Sequence, residues 1–162
     1  MATERIAETQ VVVFQLAGET YGIDINHVQE IIRMQNITEI PGTSTFIEGV
    51  INLRGRIIPV IDLRKRFNLP LADNTQNTRI IVVEMGQMTV GMVVDSVSEV
   101  LRLPTASIEP PPPMICGIDV AYLQGVGKQD DRLIILLELD KVLKEGEKQE
   151  LQQEIAAGVV EE

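Results

Sequence analysis

Val11–Met34 reads VVVFQLAGETYGIDINHVQEIIRM, and Ile80–Leu103 reads IIVVEMGQMTVGMVVDSVSEVLRL. The two stretches align without a gap at an offset of 69, and six of 24 positions are identical: Val13/Val82, Thr20/Thr89, Gly22/Gly91, Val28/Val97, Glu30/Glu99 and Arg33/Arg102. Most remaining pairs keep their apolar or polar character. A second block follows in the same order. Phe46–Phe67, FIEGVINLRGRIIPVIDLRKRF, aligns with Tyr122–Leu143, YLQGVGKQDDRLIILLELDKVL, at an offset of 76. Six of its 22 positions match, among them Gly49/Gly125, Val50/Val126, Arg56/Arg132 and Lys65/Lys141. Two ordered blocks of this kind are the mark of a duplicated structural unit. The seven extra residues of the second copy fall around Pro110–Pro113, where proline favours a loop.

Each copy opens on a hydrophobic hairpin that turns at Ala17-Gly18-Glu19 or Gly86-Gln87. Asn26–Arg33 and Asp95–Arg102 then read as short helical turns, capped by Asn26 and Asp95, with Val28, Ile31 and Ile32 as an apolar face. A third strand leads to Ile40-Pro41 or Ile108-Glu109-Pro110. A second hairpin follows, turning at Arg54-Gly55 or near Gln129–Asp131. About five strands per copy give an all-β fold. Small five-stranded units curl into barrels because closure removes exposed edges. The repeat divides the chain at 10–79 and 80–143. Beyond it, residues 140–162 read as a C-terminal helix interrupted near Gly146, with an acidic tail.

Composition narrows the function. The chain has 162 residues, 44% hydrophobic and only 3% aromatic, so the core is aliphatic and β-branched. Net charge is −10, which argues against nucleic acid as a partner. A single cysteine, Cys116, suits the reducing cytoplasm, and no apolar run is long enough to span a membrane. His27 is the only histidine, so no multi-histidine metal site exists, and Walker A, GxGxxG and GxSxG patterns are absent. Asp130-Asp131 belongs to a turn. Arg64-Lys65-Arg66 reads as a solvated face. The sequence therefore points to a binding protein, not an enzyme, with no cofactor and no metal.

A duplication is its own control: positions that build the barrel match between copies, and positions adapted to a partner diverge. The sharpest divergence is Asn52-Leu53-Arg54-Gly55 against Lys128-Gln129-Asp130-Asp131. Arg beside an apolar residue at a loop tip suits a protein contact. Glu30 is the natural internal partner for Arg54. At this position Asp130 faces Glu99 in the second copy, so a Glu30–Arg54 bridge belongs to one half. It either braces its own barrel or shapes a partner site.

Tyr21-Gly22-Ile23-Asp24-Ile25, Val28-Gln29-Glu30-Ile31, Phe46–Gly55, Ile58–Arg64 and Val90–Asp95 resemble the CheW family of bacterial chemotaxis coupling proteins. The likeness covers roughly residues 8–145. It implies two SH3-like five-stranded β-barrels around a shared core. It also implies a scaffold that joins the cytoplasmic tip of chemoreceptors to the regulatory domain of the histidine kinase CheA, which has the same fold. Contact with the membrane would then be indirect, through the receptors. A CheW-like adaptor in a non-chemotactic CheA-type pathway is the alternative. Carried over residue by residue, Val28, Glu30, Gly49 and Arg54 fall at receptor-coupling positions. Ile31 and Val94 would be apolar contacts in a groove for the receptor helix. Ile37 and Thr38, with Pro113 and Met114, would face the kinase. The run Pro110–Pro113 departs from the family pattern.

Overall fold

The structure, a computed structural model, describes residues 7–41, 45–112, 114–115, 118–143 and 146–150. The strands are β1 (Glu8–Leu16), β2 (Glu19–Asp24), β3 (Val28–Arg33), β4 (Ile47–Leu53), β5 (Arg56–Asp62), β6 (Arg79–Met85) and β7 (Met88–Val94). They continue as β8 (Ser96–Pro104), β9 (Ile108–Glu109), β10 (Met114–Ile115), β11 (Ile118–Asp119), β12 (Leu123–Gln129) and β13 (Arg132–Leu137). Short helices follow the second hairpins: α1 (Leu63–Arg66) and α2 (Leu139–Val142).

One sheet runs β3-β6-β7-β5-β4 and the other β8-β1-β2-β13-β12-β9, with β10 and β11 paired separately. Both main sheets close. In the second, the two edges are consecutive in the chain, since β8 reaches β9 through one 3-10 turn, Thr105–Ser107. In the first, Thr38 bridges from just past β3 to Val50 on β4, with N–H donors 2.8 and 2.9 Å from the opposing carbonyls. These closed sheets are called barrel I (β3–β7) and barrel II (β1, β2, β8, β9, β12, β13).

The copies in sequence are not the barrels in space. Barrel I is the contiguous stretch 28–94, whereas barrel II combines 8–24 with 96–137. The division at 79/80 is therefore corrected: each opening hairpin packs with the other copy's strands. Duplication nevertheless holds in detail. Val13 pairs with Glu99 as Val82 pairs with Glu30, and Gly49 pairs with Val60 as Gly125 pairs with Leu136. The bulges fall at equivalent places too, skipping Gln29 in one barrel and Ser98 in the other.

Two glycines show why identity survives where it does. A Cβ on Gly22 would lie 3.1 Å from both Ile134 and Leu136, and one on Gly91 would lie 2.8 Å from Ile80. Both sit opposite a parallel neighbour in their sheet, Gly22 beside Leu136 and Gly91 beside Val60. The helical reading of 26–33 and 95–102 is also corrected. In the first stretch the helical turn is limited to the 3-10 turn Ile25–His27, capped by Asp24, whose carboxylate accepts the Asn26 amide at 2.9 Å. Val28–Arg33 alternates half-buried and exposed residues, the period of a strand. Its Val and Ile residues are stiff at χ1 and suit the pleat.

Three apolar clusters fill the molecule. Ile51, Ile58, Val60, Ile80, Val82 and Val93 fill barrel I, and Val11, Val13, Leu103, Ile134 and Leu136 fill barrel II. The largest, with 23 buried residues, lies between the barrels and draws on both. Each fully buried aliphatic side chain contributes about 1.5–3 kcal/mol. The inter-barrel cluster thus outweighs either interior, and the barrels form one cooperative unit. Of the expected C-terminal helix, Leu139–Val142 forms α2 and 146–150 is helical, while 144–145 and 151–162 lie outside the described residues.

Candidate functional site

The site begins at the β4–β5 turn. Arg54 and Gly55 both have positive φ, 52° and 85°, as a two-residue turn of the primed type requires. Asn52 accepts the Gly55 amide at 2.8 Å and fixes the tip. Arg54 is thereby held outward, 69% exposed, and its guanidinium pairs with Glu30 on β3. The hydrogen bond to Glu30 raises the Arg54 pKa. Ile31, the next residue of β3, is 40% exposed and by the strand's alternation points to the opposite face from Glu30. Val28, at the start of β3, is half-buried against the inter-barrel cluster.

The second copy answers with a different pair. Glu99 is joined to Arg132 at 3.1 Å. Arg132 is the equivalent of Arg56, which donates instead to the Thr89 hydroxyl at 3.1 Å. Both halves therefore carry a Glu–Arg bridge, but from different positions of the hairpin. The identical pairs Glu30/Glu99 and Arg56/Arg132 held the signal for the second bridge. In the second turn Asp130 takes the positive φ (54°) that Arg54 takes in the first. The turn keeps its shape while its charge is inverted.

The other expected positions separate. Gly49 is a barrel-closing residue: its φ is +143°, and a Cβ there would stand 2.1 Å from the Thr38 carbonyl oxygen. Thr38 is exposed, and Ile37 packs against the interior of barrel I. Ile37 also lines a cavity of about 380 Å³ with Met34, Glu48, Asp62, Lys65 and Leu71. Val94 is corrected as a surface contact. It is 0% exposed within the inter-barrel cluster, so it cannot touch a partner. Pro113 lies outside the described residues; Met114 belongs to β10, and its side chain lies outside them as well.

Arg64-Lys65-Arg66 is not a solvated face. Arg64 grips Asp95 through two bonds, Nε to Oδ1 at 2.9 Å and Nη2 to Oδ2 at 2.5 Å. Burial alone would raise the Asp95 carboxyl, but Arg64 and the Ala17 amide hold it below the usual range. Lys65 pairs with Glu48 at 2.8 Å, and the hydrogen bond raises its pKa. Arg66 is 8% exposed, lies over the rings of Phe46 and Tyr122, and donates to both carboxylate oxygens of Glu147. Asp62 caps α1 by accepting the Arg64 amide at 2.9 Å. Burial pushes its carboxyl up, and the nearby Glu48 carboxyl adds to the effect. Sequence reasoning missed the three ion pairs because each joins residues distant in the chain. Among the described residues, no group of three or more His, Cys, Asp or Glu could hold a metal ion. No described helix is long and apolar enough to cross a membrane.

The arrangement offers projecting side chains and shallow recesses, which suits protein contact. Comparison with known proteins agrees. Residues 10–147 match the family model described as a CheW-like domain. The chain is 42% identical to the chemotaxis protein CheW of Klebsiella aerogenes, over 91% of this chain and 88% of that protein. It is 36% identical to the Bacillus subtilis chemotaxis protein CheW, over 88% and 92%. The crystal structure of the scaffolding protein TtCheW from Thermoanaerobacter tengcongensis superimposes with a TM-score of 0.81 at 45% identity, covering 87% of this chain and 96% of that one.

Proposed function

The chain belongs to the CheW-like family, and from that premise we propose that it is a chemotaxis scaffold that couples chemoreceptors to the histidine kinase CheA. It performs no chemistry of its own and acts by holding partners in the cytoplasm. The observation that carries the reading is the exposed Glu30–Arg54 pair, held at the β4–β5 turn of barrel I where the two copies diverge. A fixed guanidinium paired with a carboxylate at a projecting tip suits a protein contact, where arginine is enriched. Glu30, Ile31 and Arg54 are assigned to the receptor, with Val28 and Gly49 supporting them from below. Ile37 and Thr38, at the closing seam of barrel I, are assigned to the kinase regulatory domain. The segment around Pro113 and Met114 is assigned a second contact of that kind from barrel II.

The test is a reconstituted kinase assay with receptor fragments, CheA and this chain. Receptor control of autophosphorylation should appear only when the chain is added. Equal stimulation without it would sink the proposal. Arg54→Ala should weaken receptor coupling while Arg132→Ala leaves it intact.

A further inference from the structure

The polypeptide passes between the barrels twice within the described residues, at 25–27 and at Asp95. The second passage is a single residue, and it is tied from both sides. Its amide donates to the Gln15 carbonyl of barrel II at 3.0 Å. Its carboxylate accepts the Ala17 amide of barrel II at 2.9 Å and the fork of Arg64, just past β5 of barrel I. Arg64 in turn donates to the Pro70 carbonyl, so its own position is set. Elsewhere the barrels meet through the apolar cluster and through a second fork, Arg66 at the end of α1 on Glu147 beyond β13, and hydrophobic burial by itself is non-directional. A planar guanidinium on a carboxylate, in two parallel bonds, does fix direction. With side-chain exposures of 16% and 33%, the pair is partly shielded from water.

We infer that Arg64 and Asp95 are positioning residues that set the angle between the two barrels, and through it the angle between the chain's two kinase-facing ends. The inference rests on the coupling reading, which places one such end on each barrel. Head-to-tail contacts close into a ring when the rotation per subunit is right, and otherwise run on as open arcs. In a scaffold with a contact at each end, the inter-barrel angle is part of that rotation. The pair therefore acts on assembly without touching either partner.

The experiment uses the full chain with spin labels at Gln87→Cys on barrel I and Arg102→Cys on barrel II, in a Cys116→Ser background. Pulsed dipolar spectroscopy reads the distance between them. Asp95→Asn and Arg64→Lys should each broaden and shift the distribution. Affinity for the kinase regulatory domain alone should stay within about twofold, a fraction of a kcal/mol. In electron micrographs of the mixture, open arcs should replace closed rings. Distributions and rings identical to the parent in both variants would overturn the inference. Arg64→Lys keeps the charge but not the fork, so it carries the test if Asp95→Asn fails to fold. A parent chain that binds no kinase domain would overturn the coupling reading and its ring consequence. The distance measurement would still decide whether the pair sets the angle.

Discussion

Gly49→Ala should be among the costliest single-atom additions in this chain, and the structure says why. A Cβ at Gly49 would stand 2.1 Å from the Thr38 carbonyl oxygen and 2.7 Å from its carbon. Ordinary van der Waals contact begins near 3.4 Å, and the obstacle is backbone, which cannot swing aside. Thr38 must retreat by more than an ångström. That breaks the 2.8 and 2.9 Å hydrogen bonds to Val50 that close barrel I. Two such bonds contribute about 1–3 kcal/mol together, and forcing the overpacked seam apart costs a further ~1–3. The expected loss is therefore roughly 2–6 kcal/mol. A change of 1 kcal/mol moves the midpoint by about 2–4 °C in a chain of this size, so the fall should be on the order of 10 °C. Gly18→Ala is the control, since its φ is also positive, +82°, but nothing lies within 4 Å. Denaturant melts would give both free energies, and hydrogen exchange at the Val50 amide would report the seam. Parental stability with a protected Val50 amide in Gly49→Ala would refute the closure argument. It would also return Gly49 to the partner surface.

Arg54→Ala should leave the thermal midpoint unchanged while lowering receptor coupling; a collapsed circular-dichroism spectrum would show instead that the bridge is structural. Arg66→Ala removes a nearly buried cation from two rings and from Glu147, at a cost of about 3 kcal/mol by urea melts. Arg66→Met, which keeps the packing, should cost less than Arg66→Ala. Asp62 has a raised folded pKa, so the native state binds the proton more tightly. Its contribution is present below the unfolded value and is lost as pH rises through the folded one. Asp62→Asn, which still caps α1, should therefore be stabilising near neutral pH, with the gain vanishing at about pH 3–4 in matched melts. Asp95 has the opposite sign: its folded pKa is lowered, so its contribution is present above the unfolded value and disappears as pH falls through the folded one.

Strand and turn positions were legible because alternation and Gly or Asp turns are local signals. Ala17-Gly18, Arg54-Gly55 and Gly86-Gln87 all stand where the sequence places them. Partner choice was not local. Nothing in Val11–Asp24 says that β2 runs beside β13 and not β5, because either neighbour presents the same apolar row. The duplication hid this further, since the two candidates are copies of each other. Val28–Arg33 misled for a related reason: Val28, Ile31 and Ile32 fit a helical face, but the chain there is a strand whose half-buried members are Val28, Glu30 and Ile32. At the site, Arg54 was legible as the point where the copies diverge, and Glu30 as its partner. The burial of Val94 was not, because an apolar residue at a strand end serves a groove or a core equally well in sequence.

What the pairing pattern adds is a reason for divergence to collect at the β4–β5 turn. Each hairpin tip has a glutamate within reach, Glu30 or Glu99, and both copies carry an arginine at the first residue of the second strand, Arg56 or Arg132. In barrel II that arginine bridges the glutamate. In barrel I, Arg56 is engaged with Thr89, and Arg54 has taken the glutamate from the turn itself. A surface bridge is weak support for a fold, so exchanging one for the other changes stability little. It changes the surface a great deal, because the guanidinium moves from the strand to the exposed tip. Placing an arginine at Asp130 of barrel II tests this step. If the move is what created the receptor face, D130R together with R132A should give barrel II a measurable affinity for receptor fragments when Arg54 is absent. No binding above the Arg54→Ala background would show that the face depends on features of barrel I beyond the position of its arginine.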